Sequence, residues 1–421
     1  MTSLPSRPSL ENLKKQAKSL LHAHRQGDPS VCAVFRHLHR FSQASPEEIL
    51  AAPVTLTEAQ FCLAQQYGFT SWRALKQYVE QADPQRYLHV FCIELPALVL
   101  RESGVPGTVM TWLDPLIEGP APLGVSEQQW WALRAHALAQ ELNEIFSTAE
   151  QAIQALQNMD RRLAEFAKYQ EVVLWFDACL YDQVTLCRQL DWFSRRALGN
   201  TRLSLICIGD YPGLPTFHGL GELTTEQLAS LLARKHEVSP AEMLLGVAAW
   251  QAYRSADPTD IERLLAQDTA VLPYLAPALV KHLERFPSRE NGLSRLEQEI
   301  LELVALGHHD YSRIFHRLSI MEQPAYFGLT YLFHQLQALA TGPHPLLIMQ
   351  GLEERKDLPN AVWSIDNTTY TLTTAGESVL AGQADWIQLN GIDQWLGGVH
   401  LHGAQAEWRW DAQLQKLVRM S

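Results

Sequence analysis

The spacing of apolar residues changes from strand-like to helix-like within one central stretch, residues 171–193. Residues 171–176, EVVLWF, form a nearly continuous apolar run that is typical of a buried strand. Residues 177–181 are a short polar break. After this break, apolar residues recur at helical spacing at Val184, Leu186, Cys187, Leu190 and Phe193. The pattern predicts a strand, a loop and a helix, with polar side chains where the strand ends.

The same alternation extends over residues 86–238. Residues 87–93, 108–112 and 202–208 are further apolar runs, and helical patterns separate them. Strands that alternate with helices predict crossover connections and therefore a mostly parallel, Rossmann-like sheet. The carboxyl ends of such strands lie at one edge of the sheet, where open α/β sheets bind ligands. We therefore expect residues 86–238 to be an α/β ligand-binding domain.

Helical patterns flank this segment on both sides. Residues 1–82 predict a helical accessory domain, followed by a linker at Asp83 and Pro84. Residues 239–290 predict a helical connector. Residues 291–421 predict three helices and then a β-ribbon, which is the order of a winged helix. The expected fold class is α/β plus all-α, in four domains.

The β-ribbon of the last segment is expected to follow a short strand and to end before a C-terminal hairpin. Residues 362–365 and 370–372 are its predicted strands, and Asp366 and Asn367 between them are favourable turn residues. Residues 395–411 predict the C-terminal hairpin, with glycines at its tight positions.

Composition and charge narrow the classes of protein. The apolar fraction of 47% supports folded cores, and the net charge of −12 argues against general binding to nucleic acid or to acidic membranes. The six cysteines have no CxxC spacing, which argues against a zinc knuckle or a disulfide framework. The N-terminal residues contain no signal-peptide core, and no apolar run is long enough to span a membrane. We therefore expect a cytoplasmic protein.

Acidic residues and one histidine occupy the loops that follow the predicted strands. If these loops share one edge, they bring carboxylates together on stiff backbone, which suits Mg²⁺ binding or acid–base chemistry. The expected catalytic residues are Asp114, Glu118, Asp177 and His218. The expected ligand-binding residues include Tyr181, Asp182, Gln183 and Asp210.

Several of these residues also have a purely structural interpretation. Asp182 lies where a helix begins and could simply cap that helix. Asp114 precedes a proline and could start a turn. His218 could bond to a loop carbonyl, or transfer a proton if the protein is an enzyme. The sequence leaves both interpretations open.

Some familiar functional patterns do not occur. The sequence contains no GxSxG motif, no P-loop, no HExxH motif and no GxGxxG motif after the first predicted strand. The third predicted helix of the winged-helix-like segment, residues 324–340, has no Lys or Arg, although DNA recognition requires these residues. We expect this helix to serve packing or a protein contact, and we do not expect DNA binding.

Seven motifs between residues 87 and 411 occur in an order that is similar to a bacterial family named domain of unknown function eighteen-thirty-five. The motifs are WLDPLIEGPAP, VVLWF, YDQVTLCRQL, FHGLGELT, NGLSRLEQEIL, WLGGVHL and WRWD. The resemblance adds Trp175, Gly219 and Gly221 to the expected ligand-binding residues, and it implies no defined activity.

The first predicted strand is followed by a departure from the family pattern. The family has a Gly-Asp-Ser element there, whereas this chain has Ile93, Glu94 and Leu95. The change removes a glycine and a hydroxyl that could approach a phosphate. Separately, LENLKKQAKSLL and QQYGFTSWRALKQYV resemble a bacterial helical module found ahead of ankyrin repeats, which implies an accessory, interaction-type role.

The sequence supports three hypotheses about function. The leading one is a protein that binds a small molecule at the carboxyl edge of the sheet, with phosphorylated compounds and nucleotides as candidates and a protein partner for the helical domains. The first alternative is a metal-dependent hydrolase or transferase that uses the acidic loops. The second alternative is a winged-helix transcriptional regulator, which requires a basic stripe on its surface.

Overall fold

The fold combines N-terminal helices, a central five-stranded, mostly parallel sheet with helices, and C-terminal helices with small β-hairpins. These features confirm the predicted α/β class and the Rossmann-like sheet. The linker predicted at Asp83 and Pro84 and the turn residue Asp366 lie outside the described residues. The computed structural model describes residues 4, 9–81, 86–141, 146, 148–355, 362–364 and 367–420.

The N-terminal region packs its helices around two small apolar clusters of its own. Ser45 and Thr55 each accept a hydrogen bond from a backbone N–H three residues later, and Glu48 and Glu58 return the bond. These capping boxes fix where two of the helices begin. The helices are α1 (Leu10–Arg25), α2 (Cys32–Phe35), α3 (Pro46–Ala51), α4 (Leu56–Gln66) and α5 (Trp72–Gln81).

The central sheet has the strand order β2-β1-β3-β4-β5. The first four strands in this order are parallel, and the short β5 pairs antiparallel with β4. From β1 the chain moves outward to β2, and from β3 it moves outward in the opposite direction to β4. The strands are β1 (Tyr87–Phe91), β2 (Thr108–Thr111), β3 (Glu171–Asp177), β4 (Arg202–Ile208) and β5 (His236–Glu237).

Helices cover both faces of this sheet. The alternation of side chains along β3 sends Val173 and Trp175 to one face and Leu174 and Phe176 to the other, and all four are fully buried. A strand buried on both faces needs the continuous apolar run seen in the sequence. The helices of this part are α6 (Glu94–Glu102), α7 (Glu127–Glu141), α8 (Ala149–Ala164), α9 (Leu180–Ser194) and α10 (Thr225–Ser230).

Eight further helices follow the sheet in the part of the chain that the structure describes, and the first of them packs closely on α9. At the crossing, a Cβ on Gly246 would lie 2.4 Å from Leu190 Cδ1, so only glycine permits this approach. The helices are α11 (Pro240–Tyr253), α12 (Thr259–Leu265), α13 (Leu275–Leu283), α14 (Arg295–Ala305), α15 (Tyr311–Met321), α16 (Leu329–Leu339), α17 (Thr374–Leu380) and α18 (Trp386–Asn390).

The C-terminal strands form antiparallel pairs. β6 pairs with β9, β7 with β8, β10 with β11, and β12 with β13. The strands are β6 (Leu347–Gln350), β7 (Glu353–Arg355), β8 (Val362–Ser364), β9 (Thr369–Leu372), β10 (Ile392–Leu396), β11 (Val399–Gly403), β12 (Trp408–Asp411) and β13 (Lys416–Arg419).

The prediction that β8 and β9 pair with each other was wrong. Each pairs instead with an earlier strand, so the two pairs are nested along the chain. At the junction, a Cβ on Gly351 would lie 2.4 Å from the carbonyl oxygen of Asn367, which shows how closely the two chain segments approach. A turn signal between two apolar runs does not reveal that an earlier segment competes for the same strand.

The predicted hairpin that follows is confirmed in part: β10 and β11 form it, whereas Trp408–Asp411 pairs with β13. The turn between β10 and β11 is anchored to the centre of the molecule. Gly398 N–H donates to the Tyr253 carbonyl at 3.0 Å, and Ala121 N–H donates to the Gly397 carbonyl at 2.8 Å. A Cβ on Gly397 would lie 2.2 Å from the Tyr253 oxygen. The hairpin tip therefore holds the end of α11 against the loop after β2.

Among the described residues, none of the helices combines the length and hydrophobicity that crossing a membrane requires.

Candidate functional site

A cavity of about 480 Å³ opens at the carboxyl edge of the sheet, next to the ends of β1 and β3. Because the chain leaves these two strands in opposite directions, this position is the topological switch point at which open α/β sheets bind ligands. The loops after β1, β2, β3 and β4 all contribute to the lining. Residues 325–331, which lead into α16, line it from the C-terminal helices.

Asp177, the last residue of β3, ties two of these loops together. It is 5% exposed, and its Oδ1 accepts a hydrogen bond from Cys179 N–H at 3.0 Å. Its Oδ2 accepts one from Leu220 N–H at 3.2 Å. Gly219 has a φ of +132°, and a Cβ there would lie 2.6 Å from Asp177 Oδ2. The glycine therefore lets the loop after β4 approach the carboxyl group closely.

Asp182, in the first turn of α9, links the ends of β1 and β3. Its Oδ2 accepts a hydrogen bond from Asp177 N–H at 2.7 Å, and its Oδ1 accepts one from the Cys92 thiol. The N-cap of α9 is Cys179, whose Sγ accepts from Asp182 N–H at 3.5 Å. The capping role considered for Asp182 thus belongs to Cys179, and Asp182 is free to face the cavity.

The electrostatics of this carboxyl pair are unusual. Burial raises the pKa of Asp177 above its usual value. Burial also raises the pKa of Asp182 well above its usual value, and the negative charge of Asp177 raises it further. Two carboxyl groups this close resist ionising together, so the pair tends to keep a proton or to attract a cation. Strongly shifted carboxyl groups inside a cavity are a feature of functional sites.

The environment of the two thiols beside the pair favours their protonated form. Burial raises the pKa of Cys92, and the neighbouring Asp182 charge adds to this shift. Burial and the Asp177 charge do the same for Cys179. Because the thiolate is the nucleophilic form, this environment does not favour cysteine nucleophiles.

The cavity combines acidic groups with aromatic rings. Among the described residues that line it there is no Lys or Arg. Its carboxyl groups belong to Glu94, Glu118, Asp177, Asp182 and Glu222. Its aromatic rings, apart from the histidine, belong to Phe146, Tyr181, Tyr326, Phe327 and Tyr331.

One group of side chains could hold a metal ion. Potential ligand atoms of Asp177, Cys179 and Asp182 all lie within 4.8 Å of one another. Mg²⁺ prefers oxygen ligands, whereas a sulfur ligand suits a softer ion such as Zn²⁺. The Cys92 thiol adjoins the same group. The donor set therefore fits Zn²⁺ better than the Mg²⁺ suggested by the carboxylates alone.

Comparisons with known proteins add no functional assignment to this geometry. No family model matches the chain. No curated protein matches it either. The chemistry of the cavity is therefore the guide to function.

Most of the residues expected at the site meet at the cavity. They come from the loops after β2 and β4, the end of β3 and the first turn of α9, as the sheet topology predicts. Glu118 and the exposed His218 line it, and the backbone N–H of His218 donates to Glu222 Oε1 at 2.8 Å. The expected residues that line the cavity are Glu118, Asp177, Tyr181, Asp182, His218, Gly219 and Gly221.

Asp114, an expected catalytic residue, does not line the cavity and instead forms a buried ion pair with Arg134. Both side chains are 0% exposed, and Arg134 Nε donates to Asp114 Oδ1 at 3.0 Å. Arg134 also donates to the carbonyl oxygens of Glu118, Pro115 and Pro120. Asp114 therefore holds the arginine that shapes the loop after β2, a structural role consistent with its position.

Three expected ligand-binding residues also lie outside the cavity lining. Trp175 is buried within the sheet, where its Nε1 donates to His89 Nδ1 at 3.1 Å. Gln183 is buried and donates to the Asp177 carbonyl at 2.6 Å. Asp210 is exposed on the loop after β4. Strand alternation sends Trp175 to the face opposite α9, and helix geometry points Gln183 at the sheet.

Several lining residues were not expected from the sequence. Glu94, directly after β1, accepts hydrogen bonds from Thr111 and Arg101 and still lines the cavity. Its position after a strand was a usable signal. Tyr326, Phe327 and Tyr331 come from a segment that begins about 90 residues after β5, the last strand of the sheet along the chain, and no local pattern pointed to their role.

Proposed function

We propose that the protein binds a small cationic molecule, such as an organic amine, in the cavity at the carboxyl edge of its sheet. The observation that carries this proposal is the buried Asp177–Asp182 pair in a lining that has no Lys or Arg among the described residues. A cation placed beside the pair would neutralise charge that the protein itself leaves without a basic partner.

The size and the rings of the cavity support the same ligand class. Its volume of about 480 Å³ falls in the range of small-molecule sites, which is roughly 300–1,000 Å³. Aromatic faces attract ammonium groups, and the attraction grows when water is excluded. Tyr181, Tyr326 and Tyr331 line the cavity together with the acidic residues and suit this role.

Phosphorylated ligands, including nucleotides, fit less well on their own. A phosphate would meet the five carboxyl groups of the lining and no Lys or Arg among its described residues. Such a ligand would need a divalent cation between its phosphate and the carboxylates. The nucleotide hypothesis therefore becomes a hypothesis about a metal–nucleotide complex.

Thermal shift measurements on the full chain test the proposal. Putrescine, choline and benzylamine are compared with the neutral alcohols butane-1,4-diol and benzyl alcohol, and ATP is tested with and without Mg²⁺. We expect at least one amine to raise the melting temperature and its neutral analogue to leave it unchanged. The Asp182→Asn variant should lose the shift, because the amide cannot supply the charge.

The control is Asp310→Asn, which also removes one negative charge. Asp310 caps α15 away from the cavity, and asparagine is an equivalent cap. This variant should keep the full response to amines. Stabilisation by ATP alone, with no response to any amine, would refute the cationic ligand.

Metal-dependent hydrolysis or group transfer is the second candidate function. It is favoured by the convergence of Asp177, Cys179 and Asp182 within 4.8 Å. A bound Zn²⁺ would lower the pKa of a water molecule, and His218 at the cavity mouth would be placed to exchange a proton. Calorimetric titration with Zn²⁺ and Mg²⁺ separates this candidate from amine binding, since Asp177→Asn should abolish ion binding. Unchanged ion binding in that variant would exclude it.

We further propose that residues 291–421 form a winged-helix-like domain with a C-terminal hairpin, and that the chain belongs to the family it resembles. The order α14, α15, α16 and the β6–β9 pair supports the first proposal, as does a bridge between Asp310 and Thr369. Three side chains of α16 are buried, those of Leu332, Phe333 and Leu336. This face of the helix therefore packs against the rest of the protein. A regulator role would require duplex DNA binding at low salt, which a mobility-shift assay measures.

A further inference from the structure

A second cluster of charge surrounds the far end of α9. A cleft of about 220 Å³ lies there between α7, α9 and α11. We call it the arginine cleft, because four arginines line it together with three tryptophans. These residues are Arg188, Arg195, Arg196, Arg254, Trp130, Trp192 and Trp250.

Three carboxylates also line the cleft, those of Glu127, Asp160 and Asp191, and they compensate only part of this positive charge. Arg188 Nη2 lies 3.2 Å from Asp160 Oδ1, and Arg195 Nη2 lies 2.7 Å from Asp191 Oδ1. Arg196 donates to the Trp192 carbonyl at 2.6 Å. Among the described residues, neither Arg196 nor Arg254 forms an ion pair with a carboxylate.

Two donor groups of the cleft are buried without a partner. Arg188 is 8% exposed, and its Nη1 has no hydrogen-bond partner among the residues that the structure describes. The same holds for Nε of Arg254. Buried donors are almost always hydrogen-bonded in folded proteins, so two such groups in one cleft indicate a missing acceptor.

The arginines also repel one another. Burial lowers the pKa of Arg196 from its usual value, and the charge of Arg188 lowers it further. Burial is likewise the main cause that lowers the pKa of Arg254, although Asp191 opposes the shift. Guanidinium groups stay protonated in proteins, so this crowding raises the free energy of the folded state until an anion relieves it.

Aromatic rings fix the guanidinium groups in place. The Cζ atom of Arg196 lies 3.5 Å from the centre of the Trp192 ring, and that of Arg254 lies 4.8 Å from the centre of Trp130. Arg188 lies 4.0 Å above the ring of Trp112. Stacked arginines have less freedom to lose when they bind a ligand, which favours recognition of a planar or tetrahedral oxyanion.

We propose that the arginine cleft binds a phosphate group, either as inorganic phosphate or as the phosphoryl end of a small organic molecule. A phosphate carries close to two negative charges and accepts several hydrogen bonds, which matches forked donors better than a single carboxylate does. The cleft has room for about seven water molecules at roughly 30 Å³ each, enough for one phosphoryl group and some water. A folded partner chain would not fit into this space.

The proposal does not depend on the function proposed for the acidic cavity. The 15 residues of α9 extend about 22 Å at 1.5 Å per residue, and the two sites lie at opposite ends of this helix. Failure of amine binding would leave the arginine cleft unaffected.

The test is calorimetric titration of the full chain with inorganic phosphate, with chloride at equal ionic strength as the reference. We expect phosphate to bind and chloride not to bind. The Arg196→Gln variant should bind phosphate at least about tenfold more weakly, since one charge-assisted hydrogen bond is lost. Arg196→Lys should be intermediate, because it keeps the charge and loses the fork.

The matched control is Arg263→Gln, which removes an exposed arginine that pairs with Asp257 and Asp260 elsewhere on the surface. It should bind phosphate like the unmodified protein. Equal weakening in Arg263→Gln and Arg196→Gln would show a general charge effect and overturn the proposal. So would phosphate binding no tighter than chloride.

Adenosine monophosphate and adenosine distinguish the two sources of the phosphate group. Tighter binding of the nucleotide than of inorganic phosphate, with loss in Arg196→Gln, would identify an organic phosphate as the ligand. Equal affinities would identify the free anion. Binding of adenosine as strong as that of the monophosphate would contradict a phosphate site.

Discussion

The two ends of α9 carry opposite charges in the same structural setting. At its first turn, Asp182 lies beside Asp177 in the acidic cavity. Just beyond its last turn, Arg195 and Arg196 line the arginine cleft, and Arg188 reaches the cleft from the middle of the helix. The dipole of a helix favours anions at its amino end and cations at its carboxyl end, so each type of charge lies where the helix stabilises it.

The density of charge at both ends exceeds what the helix dipole can offset. The dipole contributes about 0.3–1 kcal/mol per charge, whereas burying a charge without a partner costs several kcal/mol. At the amino end the excess appears as raised carboxyl pKa values. At the carboxyl end it appears as buried donors without a described partner. This difference from ordinary capping is the reason to assign a ligand to each end.

A third buried charge shows what a compensated site looks like. Asp114 and Arg134 are as buried as any residue in the acidic cavity, yet they satisfy each other and three backbone carbonyls. No donor of Arg134 is among the unpaired groups of the described residues. The contrast separates a structural ion pair from the two candidate ligand sites.

The largest expected effect follows from breaking that ion pair. Asp114→Asn leaves the Arg134 guanidinium buried without its counter-charge, so we expect the free energy of unfolding to fall by about 3–5 kcal/mol. Urea denaturation followed by circular dichroism measures this loss. The double variant Asp114→Leu with Arg134→Met should recover much of it, because no uncompensated charge remains. A loss below about 1 kcal/mol in Asp114→Asn would place the pair with weak surface ion pairs instead.

The sequence predicted the strands and loops that form the acidic cavity, but not the C-terminal segment that also lines it. Apolar runs located β1, β2, β3 and β4, and polar residues after them located Asp177 and Asp182, because both signals are local. Tyr326 and Phe327 reach the cavity only through the packing of the C-terminal helices. Such contacts depend on tertiary geometry that no short pattern records.

The arginine cleft could not be predicted from the sequence for the same reason. Arg188, Arg195 and Arg196 are close in the chain, but Arg254 joins them only because α11 packs on α9 at Gly246. Likewise, Asp114 was expected to be catalytic because it lies in a loop after a predicted strand, and its ion pair was not foreseen because Arg134 lies on α7, a different element. Local signals located the strands and loops, whereas the pairing of charges required the fold.

The next effect concerns the close approach of a loop to Asp177. Gly219→Ala places a Cβ 2.6 Å from Asp177 Oδ2 and forces a φ of +132° on alanine. We expect the free energy of unfolding to fall by about 2–3 kcal/mol and the response to amines to weaken. Both changes are measured by denaturation and thermal shift.

The control for this change lies in the same loop. Gly213 has a φ of +90°, and a Cβ there would meet nothing within 4 Å. Gly213→Ala therefore has the backbone strain without the contact, and it should cost less stability and leave amine binding intact. Identical losses in both variants would mean that the approach to Asp177 contributes nothing to the acidic cavity.

The smallest expected effect has the opposite sign. Because burial raises the pKa of Asp182, the folded protein holds a proton there that the unfolded chain releases near pH 4. The stability of the unmodified protein therefore falls as the pH rises from about 4 through the raised folded-state value, and this loss persists at neutral pH. Asp182→Asn removes the ionisation, so it should be more stable at pH 7 by about 1–2 kcal/mol, a gain typical of substitutions that relieve strained functional sites. Urea denaturation of both proteins at pH 4 and pH 7 measures the difference, which should grow with pH. If the difference stays constant across this range, Asp182 ionises normally in the folded protein, and the amino end of α9 would need no cation.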